Sequence, residues 1–162
     1  MRHPRPNVSV ETGVAYGVSS MFILSALARN NYGRLVSIDR EYENFTRDDG
    51  ERWGAISKPK IGSFVDENLR KRRTLVVEDS RAAMPRILKE SPQIDLFVHD
   101  SAHNYETMLE FETTWENVKP GGVLVSDDAD WSGAFADFCE SKSLEPVHIV
   151  ASRVAAVVKV SK

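Results

Sequence analysis

Cysteine is nearly missing from this chain: Cys139 is the only one in 162 residues. That excludes an internal disulfide and any all-cysteine metal site, and it suits a reducing compartment. Long hydrophobic runs are lacking as well. The start, MRHPRPN, carries charge with no apolar stretch behind it, and the C-terminal VHIVASRVAAVVKV is interrupted by Arg153 well short of a membrane-spanning length. The expectation is a cytoplasmic chain with no signal peptide, no anchor and no membrane partner. Positive charge is not in excess: 21 Lys and Arg stand against 24 Asp and Glu, a net charge of −3. Nothing in that balance favours a polyanion, so nucleic acid is not an expected partner. No internal repeat, low-complexity tract or heptad occurs.

What is present is alternation. At this length the simplest organisation is one domain over 1–162, burying about 70% of the surface its unfolded form would expose. Apolar runs of strand length fall at about 7–11, 34–38, 74–78, 94–98, 122–126, 146–151 and 154–160. Segments of helical period fall between them at 18–30, 81–89, 104–118 and 131–142, each introduced by Ser, Asn or Asp as a cap. Strand and helix in turn are the mark of an α/β fold, a parallel sheet covered on both faces. The last two runs are separated only by a tight turn near Arg153, so they should pair antiparallel at one sheet edge. Residues 43–73 are polar and broken by Gly and Pro, which fits one or two short helices and a loop. The basic run Arg70–Arg73 reads as a solvated helix end.

In an open α/β sheet, ligands bind at the carboxyl ends of the strands. The first such loop is ETGVAYGVS, residues 11–19. A dinucleotide fingerprint needs a second glycine two residues after the first, and here Ala15 follows Gly13, with Gly17 beyond. Glu11 makes a pyrophosphate less welcome still, because like charges about 4 Å apart cost roughly 4 kcal/mol at an effective dielectric near 20. A ligand bearing positive charge would be attracted, and S-adenosyl-L-methionine, with an ammonium, a sulfonium and an adenosine, meets that description. Asp39 lies 22 positions after Gly17, at the end of the second strand, where nucleotide sites place a carboxylate on ribose hydroxyls. Asp79 and Ser80, past the third strand, suit the adenine edge. Each of these residues also has a plain structural use, as a cap, a packing group or a tight turn.

A second constellation closes the fourth and fifth strands. Asp100 ends IDLFVHD, and Asp127 and Asp128 end GVLVSDD. Adjacent strands lie about 4.8 Å apart, so these carboxylates can converge. An all-oxygen site suits Mg²⁺, Mn²⁺ or Ca²⁺ better than Zn²⁺. The same aspartates also suit the cap of a helix near Trp131, and pattern alone leaves metal and cap both open. His103, three residues after Asp100, belongs to the one side-chain type that ordinarily titrates near neutrality, so it can accept a proton from a substrate hydroxyl. His99 points opposite to Asp100 by strand alternation and reads as a packed residue. Tyr16, Tyr105 and Trp131 line the site or serve as core and rim.

Carried on these residues, the chain resembles the class I S-adenosylmethionine-dependent methyltransferases, and among them the small group related to catechol O-methyltransferase, macrocin O-methyltransferase and the cephalosporin hydroxylase-like proteins. The resemblance spans about residues 7–160. It implies a Rossmann-like, doubly wound, seven-stranded sheet, mostly parallel, with an antiparallel last strand. It places Glu11, Gly13, Ala15, Gly17 and Ser19 on the methionine part of the cofactor, Asp39 on the ribose, Asp79 and Ser80 on the adenine, and Asp100 and Ser101 beside them. Asp100, Asp127 and Asp128 fall on divalent-metal ligands. Asp128 replaces the asparagine of catechol-type enzymes and His103 replaces their lysine base. The expected function is metal-assisted O-methylation of a small hydroxylated acceptor, with Asp100 and His103 catalytic. Only about six residues precede the first strand, so the N-terminal helices that shape the acceptor pocket in relatives have no counterpart here, and a partner subunit is one source for such a lid. Relatives often form homo-oligomers. A non-catalytic cofactor-binding or interaction module with the same fold is the alternative.

Overall fold

Val8, Val10, Val36 and Ile38 are branched at Cβ, which favours extended backbone and a pleated, packed surface. The first two strands form on them. The computed structural model describes residues 5–46, 52–149 and 153–160. In chain order these make β1 (Val8–Thr12), α1 (Val18–Asn30), β2 (Arg34–Asp39), β3 (Phe45–Thr46), β4 (Arg52–Trp53), a 3-10 turn (Lys58–Lys60), α2 (Glu67–Arg70), β5 (Arg73–Val77), α3 (Ser80–Glu90), β6 (Ile94–His99), α4 (Tyr105–Met108), α5 (Glu110–Trp115), β7 (Val118–Ser126), α6 (Ala134–Ser141), β8 (Val147–His148) and β9 (Ala155–Val158). Seven strands form one sheet in the order β5-β2-β1-β6-β7-β9-β8. The first five in that order lie parallel, and β9 runs antiparallel to both β7 and β8. This is the expected α/β sheet with its antiparallel final strand.

Alternation along each strand divides the core in two. On one face Val10, Val36, Phe97, Leu124 and Val157 meet Met84 and Ile87 of α3, Phe111 and Trp115 of α5, and Phe135 and Phe138 of α6. The ring of Phe111 lies 5.4 Å from Phe135 and 5.5 Å from Phe138, geometry that adds about 0.5–1.5 kcal/mol per pair beyond burial. On the other face Leu24 and Leu27 of α1 pack on Leu35 and Val65, with Leu69 of α2 alongside. Sheet order reverses beside β1, which lies between β2 and β6. That reversal opens a crevice at the carboxyl ends of β1 and β6.

Several local expectations are corrected. The helix expected at 104–118 is two, α4 and α5, parted at Leu109. Its last residue, Val118, instead opens β7, which pairs with β6 through a register shift between Ile94 and Leu96. α1 is capped by Gly17 in left-handed backbone (φ 94°), without a side-chain cap, since the hydroxyls of Ser19 and Ser20 turn to Glu11 instead. α6 starts only after Gly133. The pair β3/β4 was not foreseen in the polar 43–73 stretch, whose two short helical turns are present. Part of that stretch (47–51) and part of the last turn (150–152) lie outside the described residues. Among the described residues, no helix is long and apolar enough to cross a membrane.

Candidate active site

The first half of the site is the loop leaving β1. Gly13 (φ 80°), Ala15 (φ 45°) and Gly17 (φ 94°) all adopt left-handed backbone, a conformation that costs a non-glycine residue roughly 1–2 kcal/mol. The curl aims the amides of Val14 and Ala15 at one point, and the Asp39 carboxylate occupies it: Oδ2 accepts Val14 N at 2.9 Å and Ala15 N at 2.7 Å. Asp39 Oδ1 takes the Arg40 amide at 2.7 Å. A carboxylate offers about four acceptor positions, and backbone takes three of them.

Glu11 lies beneath this loop and not on its surface, with 0% exposure. Ser37 of β2 donates to it at 2.6 Å, Ser19 at 3.1 Å, and Ser20 donates as well. Burial pushes its pKa up, while the hydroxyls of Ser20, Ser37 and Ser19 and the charge of Arg73 pull it back. Arg73 corrects the reading of 70–73 as a solvated run. It is half-buried, and its guanidinium fills the space above Gly62, where a Cβ would lie 2.2 Å from Nη1. Burial, with Arg70 nearby, lowers the Arg73 pKa, and Glu11 opposes the shift. Tyr16, 41% exposed, stacks on Phe64 at 5.2 Å along the rim.

The second half lies at the ends of β6 and β7. One ligand atom from each of Asp100, His103 and Asp127 falls within 4.8 Å of the other two. The two carboxylates, with no thiolate near, fit a hard divalent cation, and the imidazole of His103 stands beside them. Asp100 is raised to about 8, by burial first and then by the charge and hydrogen bond of Asp127, with Asp128 and Glu11 adding to the repulsion. His103, 15% exposed, places Nε2 at 3.8 Å from Asp100 Oδ1 and 3.6 Å from Asp128 Oδ2. Asp128 meets this cluster through His103, and its Oδ1 meets Arg153 Nη1 at 3.2 Å. His99 is buried against Phe111, ring centroids 4.8 Å apart, and Ser101 Oγ lies 3.3 Å from its Nε2.

The two halves touch, because Gly13 rests on the main chain of Asp100 and Ser101. Asp79 and Ser80 lie further along, at the start of α3. Asp79 caps that helix by accepting Arg81 N at 3.1 Å, and Ser80 Oγ donates to Glu110 at 2.5 Å. Glu110 is buried, which raises its pKa against the hydrogen bonds of Ser80 and Thr12. Tyr105 hydrogen-bonds Asp137 at 2.7 Å on the exterior. Two surface cavities of about 160 and 260 Å³ lie elsewhere, beside Lys119 and beside Pro85; neither holds the converging groups. Glu110, Ser20 and Ser37 escaped the sequence reading, and Arg73 and Arg153 were read there only as part of a basic run and as a turn residue. Of the first three, only Ser37 left a trace there, as a lone hydroxyl in an apolar strand.

A family model described as Methyltransferase domain matches residues 10–129. Among solved structures, the chain is similar to the O-methyltransferase TomG from Streptomyces achromogenes, involved in tomaymycin synthesis and solved with S-adenosylmethionine. The two share 15% identity and a TM-score of 0.67, over 96% of this chain and 74% of that one. It is also similar to CalS11, a TDP-rhamnose 3'-O-methyltransferase of calicheamicin biosynthesis (19% identity, TM-score 0.69, 94% and 72% covered). An O-methyltransferase from Bacillus cereus, solved with S-adenosylhomocysteine, matches at 17% identity and a TM-score of 0.66, over 95% and 74%. No curated protein matches the chain in sequence.

Proposed function

The chain belongs to the methyltransferase domain family and has the class I S-adenosylmethionine-dependent methyltransferase fold, and from that premise we propose that it methylates a hydroxyl oxygen of a small acceptor with help from a divalent cation. One observation carries the choice of cofactor. The point at which the loop amides converge, where a phosphate would sit, is filled by the chain's own Asp39 carboxylate. A pyrophosphate would have to displace it, with Glu11 directly beneath and Asp100 beside. An adenosyl compound with a sulfonium and an ammonium meets acidic groups instead. The similar O-methyltransferases support oxygen as the acceptor atom.

In this reading the 13–17 loop faces the methionine part with the Glu11 carboxyl buried beneath it, Asp39 faces the ribose, and Asp79 and Ser80 the adenine, with Ser101 alongside. Bound there, S-adenosylmethionine supplies the methyl group, which passes to the acceptor oxygen as its bond to sulfur breaks. Asp100 and Asp127 would hold the cation, whose charge lowers the pKa of a neighbouring hydroxyl. His103 takes the hydroxyl proton on Nε2, and the imidazolium that results lies between the carboxylates of Asp100 and Asp128, which stabilise its charge. Trp131 and the acidic pair confine the acceptor, so positioning supplies much of the acceleration.

Calorimetry with S-adenosylmethionine and NAD, followed by transfer assays on hydroxylated aromatics and sugars with and without EDTA, tests this. Binding of the sulfonium compound, and turnover that EDTA or Asp127→Ala abolishes while cofactor affinity persists, is the expected result. Full turnover in EDTA would remove the cation. Preference for NAD would remove the cofactor. Tight cofactor binding with no turnover on any acceptor would favour a non-catalytic binding module.

A further inference from the structure

Resting on the reading of Asp79 and Ser80 as the adenine side of the cofactor site, we infer that Glu110 sets which base that site accepts. It captures the hydroxyl hydrogen of Ser80, so that Ser80 can only accept from a ligand, and the site then selects a 6-amino purine over a 6-oxo one. Glu110 is a positioning residue in this role, acting through Ser80. The transfer step itself has no use for this acid, and a buried acid costs free energy unless hydrogen bonds offset it.

The contact is short and enclosed. Glu110 opens α5 and is 4% exposed, while Ser80 opens α3, thirty residues earlier, and donates to Glu110 Oε1 at 2.5 Å. Burial raises the Glu110 pKa, and the hydroxyls of Ser80 and Thr12 work against that rise by favouring the ionised form. A serine hydroxyl has one hydrogen and two lone pairs, and an ionised carboxylate only accepts. With its hydrogen taken by Glu110, Ser80 offers lone pairs alone. It is only half-buried, which leaves it open to a ligand.

The two helices that carry the pair are fixed against each other. Phe111, next to Glu110, is 0% exposed and shares a core with Met84 and Ile87 of α3. Arg81 of α3 reaches Glu106 of α4 at 3.1 Å. Ser80 and Glu110 are therefore held on facing elements, and the hydroxyl hydrogen keeps one direction. Adenine carries an amino donor at C6, whereas hypoxanthine carries an oxygen acceptor there. Two acceptors facing each other leave both without a hydrogen. Sites built to bond a particular N–H or O–H reject analogues that lack it more strongly than apolar pockets reject a change of shape.

Calorimetry with S-adenosylhomocysteine and S-inosylhomocysteine, which differ in the base alone, tests this on the wild-type chain, Ser80→Ala, Glu110→Gln and Glu110→Met. The wild-type chain should bind the adenosyl compound about tenfold or more tighter. In Glu110→Gln the amide can donate as well as accept, which frees the Ser80 hydroxyl to turn. That variant should cut the preference to about threefold or less, chiefly by gaining affinity for the inosyl compound. Glu110→Met, which offers no carboxylate, should do the same and serves if the glutamine variant does not fold. Ser80→Ala should lose affinity for the adenosyl compound, and the preference with it. Equal losses for both compounds in the Glu110 variants, with the preference intact, would overturn the inference and leave Glu110 a structural acid. So would a wild-type chain that binds both compounds alike. Unchanged affinity and preference in Ser80→Ala would sink the placing of Ser80 at the adenine, a result distinct from a preference that Ser80 carries and Glu110 does not control.

Discussion

The α-carbon of Gly13 lies directly on the main chain of Asp100, so that a Cβ at position 13 would sit 1.8 Å from the Asp100 carbonyl oxygen. This contact joins the cofactor loop to the acidic cluster, and Asp100 N donates to Thr12 O at 2.8 Å just behind it. Gly13→Ala adds the clash to a backbone of φ 80°. Overpacking and left-handed strain together should cost about 3 kcal/mol or more. Urea unfolding measures this, and a variant as stable as wild type would refute the packing seen here.

Glu11 offers a cleaner test of charge. Glu11→Gln keeps the shape among Ser19, Ser20 and Ser37 and removes the negative charge from a buried position. Because burial raises the folded-state pKa of Glu11, the ionised form is the costlier one, and the glutamine variant should melt no lower than wild type at neutral pH. Its affinity for S-adenosylmethionine should fall more than its affinity for S-adenosylhomocysteine, which lacks the sulfonium charge. Equal losses in calorimetry would reduce Glu11 to a structural acid.

Asp39→Ala leaves the amides of Val14, Ala15 and Arg40 without their acceptor. At about 0.5–1.5 kcal/mol per bond, the loop should loosen enough to weaken S-adenosylmethionine by tenfold or more, and Asp39→Asn, which retains one acceptor, should lose less. Calorimetry decides, and unchanged affinity in the alanine variant would count against the loop as the cofactor's cradle.

Asp100 makes the fold sensitive to pH. Its pKa rises from 3.8 to about 8 on folding, so the folded state binds more protons than the unfolded one between those values, and stability falls as pH rises through that window. Asp100→Asn should therefore raise the melting temperature at pH 8 and leave it nearly unchanged at pH 4. The gain should be on the order of 1 kcal/mol after solvent screening of a side chain that is 39% exposed. A divalent cation should do the same for the wild-type chain, and the asparagine variant should lose most of that response. Thermal melts across pH with Mg²⁺ and with EDTA check both.

Much of the fold was legible. Alternating β-branched runs placed the sheet strands within a few residues, and the short final connection foretold the antiparallel pair. The carboxylates at the strand ends were legible too, because parallel strands deliver the residues after them to one edge. Less legible was what each acid does there. Glu11 was expected to face a ligand and lies beneath three hydroxyls, one of them 26 residues away on β2. Arg73 was read as solvent-facing, yet it turns inward because β5 pairs with β2 and the segment containing Gly62 folds over it.

The sequence by itself determined the class of fold, the acidic character of the crevice and the mismatch with a dinucleotide, since each follows from periodicity, residue type and local spacing. Tertiary structure alone decided that Asp39 occupies the loop's anion position, that Asp100 and Asp127 share a proton-binding corner, and that Arg153 reaches Asp128 from the segment before β9. Those outcomes depend on which strands become neighbours and in what register. That is set by burying both faces of the sheet at once, and no short window of residues carries it.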